Sequence, residues 1–394
     1  MGWIAVLWAA LLLPPGSTGV GGVLGPIEVI EPRGGPRVIY RSMSAPSLVA
    51  VRLSVPVVEW PGMRGAARLL QSLARGELES GAAAIGARVE LESTPTHAVY
   101  TVVGPAKSFE AMARLLQRAV SAPALSERGL AAIQARSEQA ALAALELPDT
   151  RVHLALRASL FATTDASDAP PTPDRLDAEH VEWFWRRYFV PERMTAVVVG
   201  AAPIAEVISA FEGWDAPPPP TLAPEPAEPV DPPRTEAVAR WVGIAWPAYG
   251  HDPATLAVAS ALVTGRLAGT GLARAWAQLL WEPDRLGFVV VGSALPGSQG
   301  NPARILREAV EKAADEVTGD EVSAARRALY HTLLYQARTP QGLASLIGRF
   351  SDCTGDPLGA VRFLDALLAV DEARVETALR DLVRASPSIV EVGP

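Results

Sequence analysis

Nine of the nineteen residues from Ala216 to Arg234 are proline. Proline fixes φ and lacks a backbone donor, so this stretch joins neither a helix interior nor a central strand. It is expected to run as an extended, semi-rigid linker over 216–234. The lengths on either side, 23–215 and 235–394, are each large enough to bury a core and fold as a domain.

Both lengths show the same order of elements. Residues 49–58 (VAVRLSVPVV) are apolar and β-branched and read as a strand. Residues 65–74 then read as a helix with Ala66, Leu69, Leu70 and Leu73 on one face. Strand character returns over 88–103, followed by helices over 108–120, 126–146 and 149–161. Beyond the prolines, 238–246 (VARWVGIAW) is a strand, and Asp252-Pro253 opens a helix that ends near Gly265. A strand over 288–293 and a helix over 303–317 follow. Thr318 and Glu321 form a capping-box pair that opens a helix to about Ala337, and 339–350 is another helix. The expected fold is α+β, with two similar domains, each a largely antiparallel sheet with helices packed on one face. The first domain carries an extra helix (177–189), strand (195–199) and helix (204–211).

Composition narrows the chemistry. Thirty-five basic against forty-three acidic residues leave a net charge of −8, so no basic surplus exists to release phosphate counterions, and nucleic acid is excluded as the main ligand. Cys353 is the one cysteine, which rules out an internal disulfide and any cysteine-based zinc cage. The five histidines, His97, His153, His180, His251 and His331, are so dispersed that no two share a helical turn. The first 27 residues are uncharged, and 3–13 (WIAVLWAALLL) is an apolar run of eleven. A membrane-spanning helix needs about 20 such residues. The run fits the apolar core of a signal peptide over 1–22, with small residues at Ser17 to Gly19 as a cleavage region, although its start carries no Lys or Arg. Export to the periplasm or cell envelope is expected, a single cysteine suits that compartment, and no later stretch reads as a transmembrane span.

Three stretches carry a family resemblance. They are the strand 49–58 followed by GMRGAARLLQSL (62–73), then WFWRRYFVPERMTAVVVG (183–200), then RLGF (285–288) with the capped helix at Thr318. Together with the duplicated layout they resemble the pitrilysin/insulinase family of zinc peptidases, the inverted H-x-x-E-H group. The resemblance spans most of 36–394. It implies a metal helix at 65–74 bearing two histidines at i and i+4 and a glutamate general base, with a third carboxylate ligand from a later helix. Such ligands hold zinc and lower the pKa of its bound water towards about 7.

The positions that the resemblance assigns to this chemistry read Arg68, Gln71 and Ser72. Arginine stays protonated and offers no lone pair, glutamine has no carboxylate to take a proton, and a neutral serine hydroxyl is a poor zinc ligand. The third-ligand position falls on Glu138 or Ala140. No catalytic residue, no bound zinc and no other cofactor is therefore expected, although the family as such uses zinc. The family also has an arginine and a tyrosine in its C-terminal half that help bind substrate; here those positions read Trp281 and Phe288, and Arg285 nearby reads as a solvated surface residue. Gly269-Thr270-Gly271 lacks the rest of a dinucleotide motif. Cys353 reads as a helix-end residue, Trp183 to Trp185 as packing, His97 and His153 as lone histidines, and Glu77 and Glu79 as solvated.

The resemblance implies a non-catalytic subunit that pairs with an active peptidase of the same family and forms half of a peptide-enclosing chamber. A stand-alone envelope protein that binds peptide or unfolded polypeptide, or acts as a scaffold, is the alternative. An active zinc metalloendopeptidase with relocated ligands is a lesser one.

Overall fold

The computed structural model describes residues 24–43, 47–94, 96–123, 127–161, 173–220, 222–230, 239–297 and 300–393. The expected signal peptide over 1–22 lies outside them. In chain order the strands are β1 (Glu28–Ile30), β2 (Arg37–Ser42), β3 (Leu48–Pro56), β4 (Arg88–Ser93), β5 (His97–Pro105), β6 (Thr195–Gly200), β7 (Arg240–Pro247), β8 (Arg274–Glu282), β9 (Arg285–Ala294) and β10 (Ser388–Val392). The helices are α1 (Ala66–Ala84), α2 (Phe109–Val120), α3 (Glu127–Leu145), α4 (Pro148–Phe161), α5 (Ala178–Tyr188), α6 (Ile204–Phe211), α7 (Pro253–Leu267), α8 (Pro302–Glu316), α9 (Gly319–Gln336), α10 (Pro340–Thr354), α11 (Gly359–Leu368) and α12 (Glu372–Arg384). No helix among the described residues is long and apolar enough to cross a membrane.

The repeated order is strand, helix, two strands, then three helices: β3-α1-β4-β5-α2-α3-α4, and again β7-α7-β8-β9-α8-α9-α10. The capping residues punctuate it. Asp252 accepts from the backbone N–H groups of Ala254 and Thr255. Glu321 accepts from Thr318 N at 3.1 Å while Thr318 Oγ1 accepts from Glu321 N at 3.3 Å, which is the reciprocal capping box. Thr339 accepts from Gly342 N to open α10.

The first unit holds a six-stranded sheet in the order β1-β2-β6-β3-β5-β4. Only β2 and β6 run parallel. Strand residues alternate faces, so Val49, Val51, Leu53 and Val55 enter the core shared with Leu69, Leu70, Met112, Leu116, Phe184 and Phe211. The second unit holds a four-stranded antiparallel sheet, β10-β7-β9-β8. Helices α7 and α8 pack on one of its faces.

Each sheet is also covered on its other face, and the covering helix corrects the expected domain boundaries. For the described residues within them, the compact units are Met1–Glu138 with Pro173–Val230 and Leu334–Val361, and Gln139–Thr172 with Asp231–Leu333 and Arg362–Pro394. They are not the contiguous stretches 23–215 and 235–394. Helix α10 belongs to the first unit and packs on β3 and β6, while α4 belongs to the second and packs on β7, β9 and β10. The reason is burial: the second face of the smaller sheet presents Trp241, Ala245, Val289 and Val291, a surface that costs free energy to leave in water.

The described part of the proline-rich stretch, 216–220 and 222–230, forms no helix, and its later part is not a free linker. Arg175 N donates to Glu228 O at 2.8 Å and Val230 N to Pro173 O at 2.9 Å, and Asp174 bridges Pro229 in antiparallel fashion. Proline still has a carbonyl to offer, and this segment uses its carbonyls and its few N–H groups to pair with the first unit. Residues 231–234 lie outside the described ones.

Candidate functional site

Helix α1 is positioned by a turn held on two carboxylates. Asp174 Oδ2 accepts from Gly62 N and Arg64 N, both at 2.7 Å. Glu59 accepts from Gly65 N and Ala67 N, both at 3.0 Å. Gly65 stands at the N-cap with φ of 89° and has no side chain to cap with, so the Glu59 carboxylate satisfies the free N–H groups instead. Burial pushes the Glu59 carboxyl up against the pull of those two N–H donors, and it pushes Asp174 up in the same way. Neither residue is prominent in the sequence; Glu59 has one local signal, an acid six residues before a glycine-opened helix, and Asp174 has none.

The three positions of the metal helix have other occupations. Arg68 is exposed. Ser72 donates to the Arg68 carbonyl at 2.8 Å, the back-bond of a helical serine. Gln71 is only 3% exposed, and its amide donates to the carbonyls of Glu92 at 2.9 Å and Val99 at 3.0 Å. It ties α1 to β4 and β5. A carboxylate here would face two carbonyl oxygens with nothing to donate. Glu138 accepts from Gln134 at 3.0 Å, one turn back on α3, and Ala140 is exposed. A guanidinium, an amide engaged with the sheet and a back-bonded hydroxyl do not fit a zinc ion. Among the described residues no three His, Cys, Asp or Glu side chains converge as a metal site.

The second pair is likewise built into packing. Phe288 is fully buried and meets Trp246 with ring centroids 6.2 Å apart, on the sheet face away from α4. Trp281, at the end of β8, lies 6.0 Å from the Phe363 ring. Arg285 is not a solvated surface residue: its guanidinium donates to the carbonyl of Phe161 at the end of α4. Nor are the two histidines lone. His153 hydrogen-bonds Gln278 at 2.9 Å, and His97 Nε2 lies 3.9 Å from Asp352. Burial pushes both imidazoles below their ordinary pKa. Glu77 pairs with Arg118 at 2.8 Å, beside a hollow of about 140 Å³ that Leu73, Leu78, Leu115 and Trp185 help line.

One polar group was not apparent from the sequence. Asp352 of α10 meets Arg52 Nη2 at 2.6 Å and Ser54 Oγ at 2.8 Å. The signal was present in the strand itself, where Arg52 and Ser54 interrupt an otherwise apolar run.

A duplicated α+β layout with a helix following the first strand of each repeat defines the class of fold. No protein-family model and no curated protein matches the chain by sequence. Solved structures do match. A protease from Helicobacter pylori superposes with a TM-score of 0.78 at 14% identity, over 94% of this chain and 100% of that one. A peptidase M16 inactive domain from Pseudomonas fluorescens gives 0.75 at 14% identity, over 94% and 98%. A chain of complex III2 from Candida albicans gives 0.74 at 14% identity, over 93% and 96%. The protein therefore has the fold of the M16 peptidases, the pitrilysin/insulinase group that its sequence resembles.

Proposed function

We propose that this chain is a non-catalytic M16-type protein that serves as the silent subunit beside an active zinc peptidase, the pair enclosing peptide in a shared chamber. The observation that carries the reading is Gln71. At the position of the general base stands a buried amide with both of its described hydrogen bonds directed at strand carbonyls, so the scaffold is kept while the chemistry is not. The chain itself binds no zinc, with Arg68 and Ser72 at the ligand positions. The M16 inactive domain and the complex III2 chain support the reading, since one has the fold without activity and the other has it within an assembly. The apolar run at 3–13 supports export to the cell envelope.

Isolation of the complex from native extract, with mass determination and metal analysis, tests this. A heteromer whose zinc belongs to the other subunit is expected. A strictly monomeric protein would sink the pairing. Stoichiometric zinc in the purified chain, with proteolysis lost on chelation, would sink the silent-subunit reading altogether.

A further inference from the structure

The first unit contains a polar cavity of about 320 Å³ on the sheet face covered by α10, lined by Arg52, Glu90, Glu92, Thr101, Ser345 and Arg349. It lies on the opposite side of the sheet from α1, because Arg52, Thr101 and Glu90 stand in one cross-strand row facing away from the core residues Leu53 and Tyr100, and Leu91 also borders it. Its volume is at the lower end of small-molecule sites, roughly 300 Å³ upwards.

Among the described residues the donors in this cavity are only partly satisfied. Arg52 is 5% exposed; its Nη2 is held by Asp352, but its Nη1 is buried with no hydrogen bond at all. Gly348 makes room for that guanidinium, since a Cβ there would come within 2.4 Å of Nη1. Arg349 is exposed at the mouth and forms no ion pair among the described residues. The hydroxyls of Thr101 and Ser345 also make no side-chain hydrogen bond among them. A buried cationic N–H group left without an acceptor is unfavourable, so an acceptor belongs in the cavity. At the rim, Glu90 accepts from Gln341 at 2.7 Å, whereas the Glu92 carboxylate makes no such bond.

We propose that this cavity binds a small zwitterion of the α-amino-acid class. The carboxylate answers Arg52 Nη1, Arg349 and the two hydroxyls, and the ammonium answers Glu92. With Asp352 counted, two arginines face three carboxylates, so a phosphate dianion meets repulsion at the rim. A plain cation leaves Arg52 unanswered. A zwitterion satisfies both ends, and hydrogen bonds to charged groups are the strong ones. The site is independent of any subunit pairing, so a failed pairing experiment would leave it standing.

Equilibrium dialysis of the full chain against a mixture of the common α-amino acids, read by mass spectrometry, tests the assignment, with inorganic phosphate as a separate arm. At least one amino acid should be retained near stoichiometry. Its N-acetyl and amide derivatives, and the Arg349→Ala and Glu92→Gln variants, should each bind at least about tenfold more weakly, the effect of losing one charged hydrogen bond. Both substitutions are at exposed positions and should leave the circular dichroism spectrum unchanged. No retained amino acid, retention that Arg349→Ala leaves intact, or preferential retention of phosphate would each overturn the proposal.

Discussion

The two sheets solve one problem with different chemistry. Each needs a helix on its second face, and each receives the last helix of a three-helix run. In the second unit α4 seats by apolar contact. Val152 and Leu156 are fully buried against Gly243, where a Cβ would come within 2.4 Å of Leu156, and Leu160 closes over Gly287 in the same way. Charge is kept to the flank, where Arg157 pairs with Glu282. In the first unit α10 also covers buried apolar residues, Ala50, Val197 and Val199, but a charged pair is set among them. Arg52 and Asp352 pair at 2.6 Å with side chains only 7% and 10% exposed. An apolar seat closes up to the density of a protein interior. A charged pair has directional demands that its neighbours meet only in part, and the Arg52 Nη1 group is left without a hydrogen bond beside a cavity.

The largest way to break this comparison is Asp352→Ala. It strips the partner from a buried guanidinium and should cost about 3–5 kcal/mol in chemical denaturation. The double change Arg52→Met with Asp352→Leu should recover most of that, because a buried pair replaced by apolar groups of similar volume is often neutral or better. A double variant as unstable as the single one would mean that the pair contributes more than it costs to desolvate. In the second unit Leu156→Ala should cost about 2–5 kcal/mol by leaving a cavity, with no rescue by a polar change on the sheet.

A glycine at each helix–sheet contact, Gly243 on the strand and Gly348 on the helix, sharpens the contrast. Gly243→Ala places a methyl against Leu156 and Val152 at 2.4 and 2.5 Å and should cost about 1–3 kcal/mol by overpacking. Gly348→Ala meets the end of the Arg52 side chain instead. Alanine regains about 1 kcal/mol of helix propensity there, so the net loss should be the smaller of the two by denaturation. Equal losses would mean that the charged seat is as rigid as the apolar one.

How far the sequence revealed this follows from range. The caps at Asp252 and Thr318 are local, and the structure places them where the residue types indicate. Strand β3 was legible as apolar, yet its two polar residues could not declare a partner about three hundred positions away. Strand β8 is not legible as a strand, because its residues 274–282 (RAWAQLLWE) are mostly half-buried and lack clean alternation. The exchange of α4 and α10 was not legible either. A helix declares that it has an apolar face, but periodicity says nothing about which sheet receives it. At the metal helix, Arg68, Gln71 and Ser72 declared by type alone what they cannot do; that Gln71 pins the strands is a tertiary fact.

The smallest effect concerns pH and the two histidines beside these seats. His97 is pushed below its ordinary pKa chiefly by burial, with the Asp352 charge pulling it back up and the Arg52 charge pushing it further down. His153 is pushed down by burial and by Arg157. An imidazole held low in the folded state binds fewer protons than it does in the unfolded chain, so acidification through about pH 6.5 favours unfolding. Glu59 and Asp174, held high, act in the opposite sense as they take up protons. The readout is therefore the difference between parent and variant rather than the parent's slope. His97→Gln and His153→Gln should each flatten the loss of stability between about pH 7.5 and 5.5. In an Asp352→Asn background the His97 contribution should steepen, because the one charge that favours its protonated form is gone, while the His153 contribution should stay as it was. Denaturation midpoints across that range, compared pairwise, decide it; an unchanged His97 contribution would show that the carboxylate at 3.9 Å is electrically remote from the imidazole.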